Sequence, residues 1–205
     1  MRQDPHRPSA SSTPGRRAGS RADCLSMARR FVVVSGPPAS GKSTLAPVLA
    51  QQLALPLFAK DTVKDALMST LGADDVEESR RLGQASVVVL YALARESPVG
   101  AVIESVFFRT VAQAELRRLP GVVVEVFCRC DRQLAERRYQ LRAGSRHAGH
   151  FDAQRTTAEL WNDENSAPVA GGWPVIEVDT TSPVDVNELV ERVVAALGAS
   201  NTNDK

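Results

Sequence analysis

The chain has 205 residues, 43% of them hydrophobic and 24% charged, with a formal net charge of +1. That length suits one α/β domain with its own core, and so balanced a charge gives no general case for a nucleic-acid or anionic-membrane partner. Three cysteines, Cys24, Cys128 and Cys130, make neither a disulfide framework nor a zinc set, and no apolar run approaches the ~20 residues of a membrane span, so a cytoplasmic setting is expected.

Residues 1–28 are rich in Arg, Ser, Pro and Gly and lack hydrophobic periodicity. They are expected to form a disordered extension, with Met27 as an alternative start directly before the first strand. From Arg30 onward strands and helices alternate. Phe31–Ser35 is a continuous apolar run, as in a buried parallel strand. Ser43–Leu53 reads as a helix, with a kink expected at Pro47, and Leu57–Lys60 as a short strand. Thr62–Leu71 and Val76–Glu96 read as helices. Ala101–Val106 is a third strand, Thr110–Leu119 a helix, Val122–Cys128 a fourth strand and Asp131–Arg142 a helix. Pro174–Val178 is the fifth strand. Ser182-Pro183-Val184-Asp185 has the pattern of a helix start, with Ser as cap and Pro at the first position. Five strands with helical crossovers predict a doubly wound parallel sheet over residues 29–198, followed by a disordered tail, 199–205.

Gly36-Pro37-Pro38-Ala39-Ser40-Gly41-Lys42-Ser43 lies between the first strand and the first helix. This is the P-loop spacing in its P-loop context. Glycines let backbone N–H groups turn inward as an anion nest, and the helix N-terminus adds partial positive charge. Lys42 is placed to reach the β- and γ-phosphates of ATP or GTP, and Ser43, followed by Thr44, to offer an oxygen to Mg²⁺.

Four further positions carry chemistry. Asp61 follows the second strand, where open α/β sheets bind ligands, and is a candidate general base for an acceptor hydroxyl; capping the next helix is its bland alternative. Lys64, three residues on, opposes the helix dipole by ~0.3–1 kcal/mol and is a candidate phosphate or acceptor contact. Asp65 reads as a solvated charge. Glu104, at the end of the third strand, occupies the Walker B position for Mg²⁺, with a structural Arg partner as the alternative. Arg109 is a candidate acceptor contact or a surface charge. Arg138 and Arg142, four apart, share a helix face and suit a lid that spreads transition-state charge. His147 and His150 lack partners at zinc spacing.

Together these residues resemble the P-loop kinases of the polynucleotide kinase, gluconate kinase, chloramphenicol phosphotransferase and zeta-toxin group, over about residues 30–198. Such chains are often labelled AAA-type ATPases, although this one is too short for the helical lid domain of that class. The anchors are Gly36–Thr44, Asp61-x-x-Lys64, Glu104, and Arg138-x-x-x-Arg142 before Arg146-His147-Ala148-Gly149-His150. The resemblance implies a P-loop NTPase sheet of order 2-3-1-4-5 with helices on both faces, Asp61 as base, Lys64 on phosphate or acceptor, Arg138 and Arg142 in the lid, and residues 179–182 near the nucleotide base. Several relatives carry Asp where this chain has Glu104. The expected function is an ATP- and Mg²⁺-dependent kinase acting on a hydroxyl of a small molecule, with an acceptor pocket built from residues 61–110. A nucleotide-dependent regulator or ATPase and a polynucleotide 5′-kinase are the alternatives.

Overall fold

The first strand is apolar on both faces because both faces of the sheet are covered. A computed structural model describes residues 28–144 and 146–200; the expectations for residues 1–27 and 201–205 lie outside them. In β1 (Arg30–Ser35), Val32 and Val34 pack into one core cluster and Phe31 and Val33 into another, the alternation that a strand's period of two imposes. Helices α1 (Lys42–Leu53) and α7 (Val186–Ser200) supply the first cluster with Leu45, Leu49, Leu189 and Val193. Helices α3 (Val76–Glu96) and α4 (Arg109–Leu116) supply the second with Leu90, Ala94, Ala112 and Leu116.

Strands β2 (Leu57–Ala59), β3 (Gly100–Glu104), β4 (Val122–Arg129) and β5 (Val175–Asp179) complete a five-stranded sheet of order β2-β3-β1-β4-β5. All four pairings are parallel. The carboxyl ends therefore share one edge, and β1 and β3, adjacent in the sheet, place Ser35 and Glu104 there together.

Helix ends differ from the sequence expectation where a cap decides. Helix α7 starts at Val186, not Pro183, because Asp185 accepts from the backbone N–H groups of Asn187 and Glu188 at 3.0 and 3.1 Å. One carboxylate thus serves two orphan donors, and residues 182–184 stay in the loop. The same helix runs through Ser200, so residues 199 and 200 are not part of a tail. Helix α2 (Lys60–Leu71) starts two residues early, with Ala59 at its N-cap. Pro47 lies inside α1 with its ring exposed, so water can satisfy the carbonyl that its missing N–H leaves free. Asp75 caps α3, Asp131 caps α5 (Arg132–Ala143), and Thr156 caps the short α6 (Thr157–Leu160).

A buried carboxylate at the centre of β4 has no counterpart in the sequence reading. Glu125 is 0% exposed. It accepts from Ser35 Oγ, from the backbone N–H of Val169 and of Ala170, and from Trp173 Nε1. Four donors offset the cost of burying the charge, and they stitch the loop before β5 onto the sheet.

Candidate active site

The loop between β1 and α1 needs glycine at two places. Gly36 has φ +132°, and a Cβ there would drive into the carbonyl oxygen of Cys128 and the hydroxyl of Ser40. Gly41 has φ +86° and packs its open side against Thr180. Both φ values lie where L side chains are strained. Thr180, just past β5, clamps the loop from outside: its hydroxyl donates to the Ser40 carbonyl at 2.8 Å, and its N–H to the Arg129 carbonyl at 2.8 Å.

This cradle is chemically suited to polyphosphate. Helix α1 begins without a side-chain cap and without an acid in its first turn, so its orphan N–H groups and dipole face outward unneutralised. The Ser40 hydroxyl is buried with no hydrogen-bond partner among the described residues. Lys42 is 5% exposed and donates to the Pro37 carbonyl at 2.7 Å, folded back over the loop it would share with a phosphate. Burial pulls Lys42 down and pushes Glu104 up, each partly opposed by the other's charge. Glu104 lies on the same face of β3 as Val102, towards α1. Glu104 is 6% exposed, and among the described residues no hydrogen bond or ion pair, from an Arg or otherwise, holds its carboxylate. Ser43 and Thr44 are exposed on the first turn of α1. A carboxylate and a hydroxyl suit a hard cation. No group of three or more His, Cys, Asp or Glu able to hold a metal occurs among the described residues, so a cation here would need oxygens from the phosphates as well.

Two cavities meet at the loop. One, of about 530 Å³, is bounded by residues 39–45 and by residues 180–184 after β5. The other, of about 790 Å³, lies between α2, α3, α4 and residues 139–165, with Pro38 in its wall. Arg138 faces the first cavity and is held there by the Thr180 carbonyl at 3.1 Å. Arg142 lines both cavities and stacks on Tyr139, 5.3 Å from the ring centroid. Arg109 lines neither; its N–H donates to the Glu164 carbonyl.

Asp61 stands in the first turn of α2 and is not the cap. Its carboxylate is gripped on both oxygens, by Lys60 Nζ at 3.0 Å and Arg146 Nη2 at 2.7 Å. Despite burial, these cations hold its pKa well below the usual carboxylate range. Lys64 is the fifth residue of α2, past the first turn, so its significance is burial and not the dipole. It is 3% exposed, its Nζ donates to Ser79 Oγ at 2.7 Å, and burial with Lys60 and Arg155 nearby lowers its pKa to about 8.

Residues 146–160 cross the larger cavity and bring partners that the sequence reading missed. Arg146 bridges Asp61 and Asp152, and Tyr139 donates to Asp152 at 2.6 Å. Burial and Arg146 keep His150 below its ordinary pKa. The neutral ring then donates from Nε2 to Asp65 at 2.7 Å and accepts from Arg146 at Nδ1, 2.9 Å away. Asp65 is therefore a partner and not a solvated charge. Arg155 and Arg80 both hold Glu159, with Arg155 also near Lys64. The local signal for this cluster was only the run Arg146–His150; its partners lie 85 residues away.

The family model AAA_33, described as an AAA domain, matches residues 31–166. An inferred kinase from Chloroflexus aurantiacus is 31% identical, with 83% of this chain and 100% of that one covered and a TM-score of 0.76. A gluconokinase from Sinorhizobium meliloti has 20% identity, 84% and 94% coverage and a TM-score of 0.53. The Mycobacterium tuberculosis APS kinase CysC, in complex with AMPPNP and APS, has 18% identity, 83% and 98% coverage and a TM-score of 0.55. The last two share the fold. No curated protein matches the chain.

Proposed function

This chain belongs to the AAA-domain family, within the P-loop kinase group, and on that footing we propose that it transfers the γ-phosphoryl group of ATP to a hydroxyl of a small molecule. The observation that carries the reading is the junction of the two cavities: Pro38 and Arg142 stand where the phosphate loop meets the chamber containing Asp61. A bare ATPase or switch needs only water at that point. A second chamber of about 790 Å³ is room for an acceptor. No helix among the described residues is long and apolar enough to cross a membrane.

When bound, ATP supplies the phosphoryl group and Mg²⁺ spreads its charge. Gly36 to Thr44 would cradle the phosphates, with Lys42 exchanging the Pro37 carbonyl for phosphate oxygens. Ser43 and Glu104 would hold the cation. Residues 179–182 would border the nucleotide base. Asp61, ionised and half-buried, would orient the acceptor hydroxyl and take its proton. Its low pKa makes it a weak base, which suits a loose transition state in which proton transfer comes late. Arg146 must turn from Asp61 as the hydroxyl arrives. Arg138 and Arg142 would balance the charge that develops between the cavities.

The test is ATP turnover by purified protein against a panel of hydroxyl compounds. Acceptor-dependent ADP release with a phosphorylated product is expected. Turnover unaffected by any acceptor points to an ATPase or regulator. Transfer only to a DNA or RNA 5′-end replaces the small-molecule reading.

A further inference from the structure

The walls of the larger cavity are unlike those expected around a polyol or sugar acid. Between α3 and α4 its lining is mainly apolar: Val87, Val88 and Tyr91 of α3 face Phe107, Phe108 and Val111 of the α4 end, and the charges of Arg95 and Glu115 there are paired with each other at 2.8 Å. Tyr91 and Phe107 form a stacked pair with ring centroids 6.4 Å apart. Three of these side chains are left in water at the mouth, with Val88 65%, Val111 63% and Phe108 49% exposed. Isolated exposed apolar residues need no explanation, but a cluster that continues into a catalytic chamber does. A wall meant for a polyol would carry several amides and hydroxyls free to pair with its hydroxyl groups, because leaving those groups unpaired on burial costs affinity; of the two amides here, that of Asn165 is already bonded to the Leu160 carbonyl, which leaves Gln84.

Many of the charged groups sit at the opposite end. Lys60, Asp61, Lys64 and Arg146 gather beside the phosphate loop, and most are already paired with one another or with Ser79 and Asp152. Deeper along the apolar wall, the Tyr91 hydroxyl borders the cavity and makes no hydrogen bond among the described residues. The chamber is thus polar where a hydroxyl must be presented and mainly apolar between α3 and α4. Its volume falls within the range that encloses drug-sized ligands, about 300–1,000 Å³.

We infer that the acceptor is a bulky compound with an apolar, ring-containing body and a hydroxyl at one end, seated with its body between α3 and α4 and its hydroxyl at Asp61. This rests on the kinase reading for its chemistry: the hydroxyl oxygen forms the new bond to the γ-phosphorus, the bond to ADP breaks, and the hydroxyl proton leaves through Asp61. The apolar cavity itself does not depend on that reading, so the two can fail separately.

The experiment is equilibrium binding to the full chain, by calorimetry or by fluorescence, with phenylethanol, naphthylethanol and pyrenebutanol set against gluconate, glycerol and ribose. Each probe is then offered as acceptor with ATP. The aromatic alcohols should bind in order of size, roughly five- to tenfold tighter with each enlargement of the ring system, and the polar compounds more weakly than any of them. The variant Phe108→Ser/Val111→Ser removes the apolar mouth without threatening the fold. Both positions are exposed, and Ser at the uncapped N-terminus of α4 is a better cap than Phe. It should bind pyrenebutanol about tenfold less tightly while its melting temperature holds. Tighter binding of gluconate or ribose than of the aromatic series overturns the inference, and so does wild-type pyrenebutanol affinity in the double variant. Ranked binding of the alcohols with no phosphate transfer supports the apolar cavity and refutes the kinase reading.

Discussion

Replacing Lys64 with Met should make the protein more stable and less active. Lys64 is 3% exposed, and among the described residues its only hydrogen bond is to Ser79, itself fully buried. Burial, with Lys60 and Arg155 close by, lowers its pKa from 10.5 to about 8. At about 1.4 kcal/mol per pH unit, that is a cost of about 3 kcal/mol for keeping the ammonium charged inside the fold at neutral pH. Met keeps the stem and removes the charge. The Ser79 hydroxyl loses its partner, which takes back ~1–2 kcal/mol, though from its place in α3 it can turn to the Asp75 carbonyl one turn earlier. The net expectation is a gain of about 1–2 kcal/mol at pH 7, or roughly 2–8 °C in Tm. Because the folded pKa lies below the unfolded one, the unfolded chain holds more protons between pH 8 and 10.5. Wild-type stability therefore rises with pH across that window, and the advantage of Lys64→Met should shrink through it. Urea denaturation of both proteins at neutral and alkaline pH measures this. A destabilised variant at pH 7, or an equal gap at both pH values, would refute the reasoning. Transfer should fall at least tenfold, mostly through acceptor KM; unchanged kinetics would remove Lys64 from the acceptor site.

Three other outcomes are expected. Lys42→Ala should abolish nucleotide turnover while circular dichroism shows a folded protein, since Lys42 is the cation buried against the loop. Asp61→Asn keeps the shape beside Arg146 but cannot take a proton, so transfer should drop ~10²–10⁴-fold with nucleotide affinity near wild type by titration. Glu125→Gln should cost ~2–4 kcal/mol in denaturant unfolding, because an amide nitrogen cannot accept from the donors that one carboxylate oxygen now serves.

Much of the site was legible because its signals are local. The P-loop is a pattern within eight residues, read against a strand before it and a helix after it. Asp61, Glu104 and the Arg138–Arg142 pair were found from strand ends and a four-residue spacing. The acceptor pocket was expected between residues 61 and 110; the larger cavity draws on that stretch and adds residues 111–115 and 139–165 to its wall. Within residues 61–110, Tyr91 lines the cavity, Met68 is buried in the fold, and Leu71 is exposed on the surface. The helix start at Val186 was misjudged because Ser182 and Asp185 are rival caps three residues apart, and the start at Lys60 because α2 begins there with no side-chain cap at all.

What the sequence by itself determined was therefore the element order, the phosphate loop and the ends of strands where chemistry gathers, since each is written in periodicity or in short spacing. Only the tertiary structure decided the partners. Thr180 clamps Ser40 across 140 residues, Glu125 anchors Ser35 across 90, and Arg146 grips Asp61 across 85. Nothing in the local pattern distinguishes Arg146 from a solvated charge or Glu125 from an edge residue. Tertiary packing removes most of the water from both, and each charge then finds its counterpart wherever the chain has brought one.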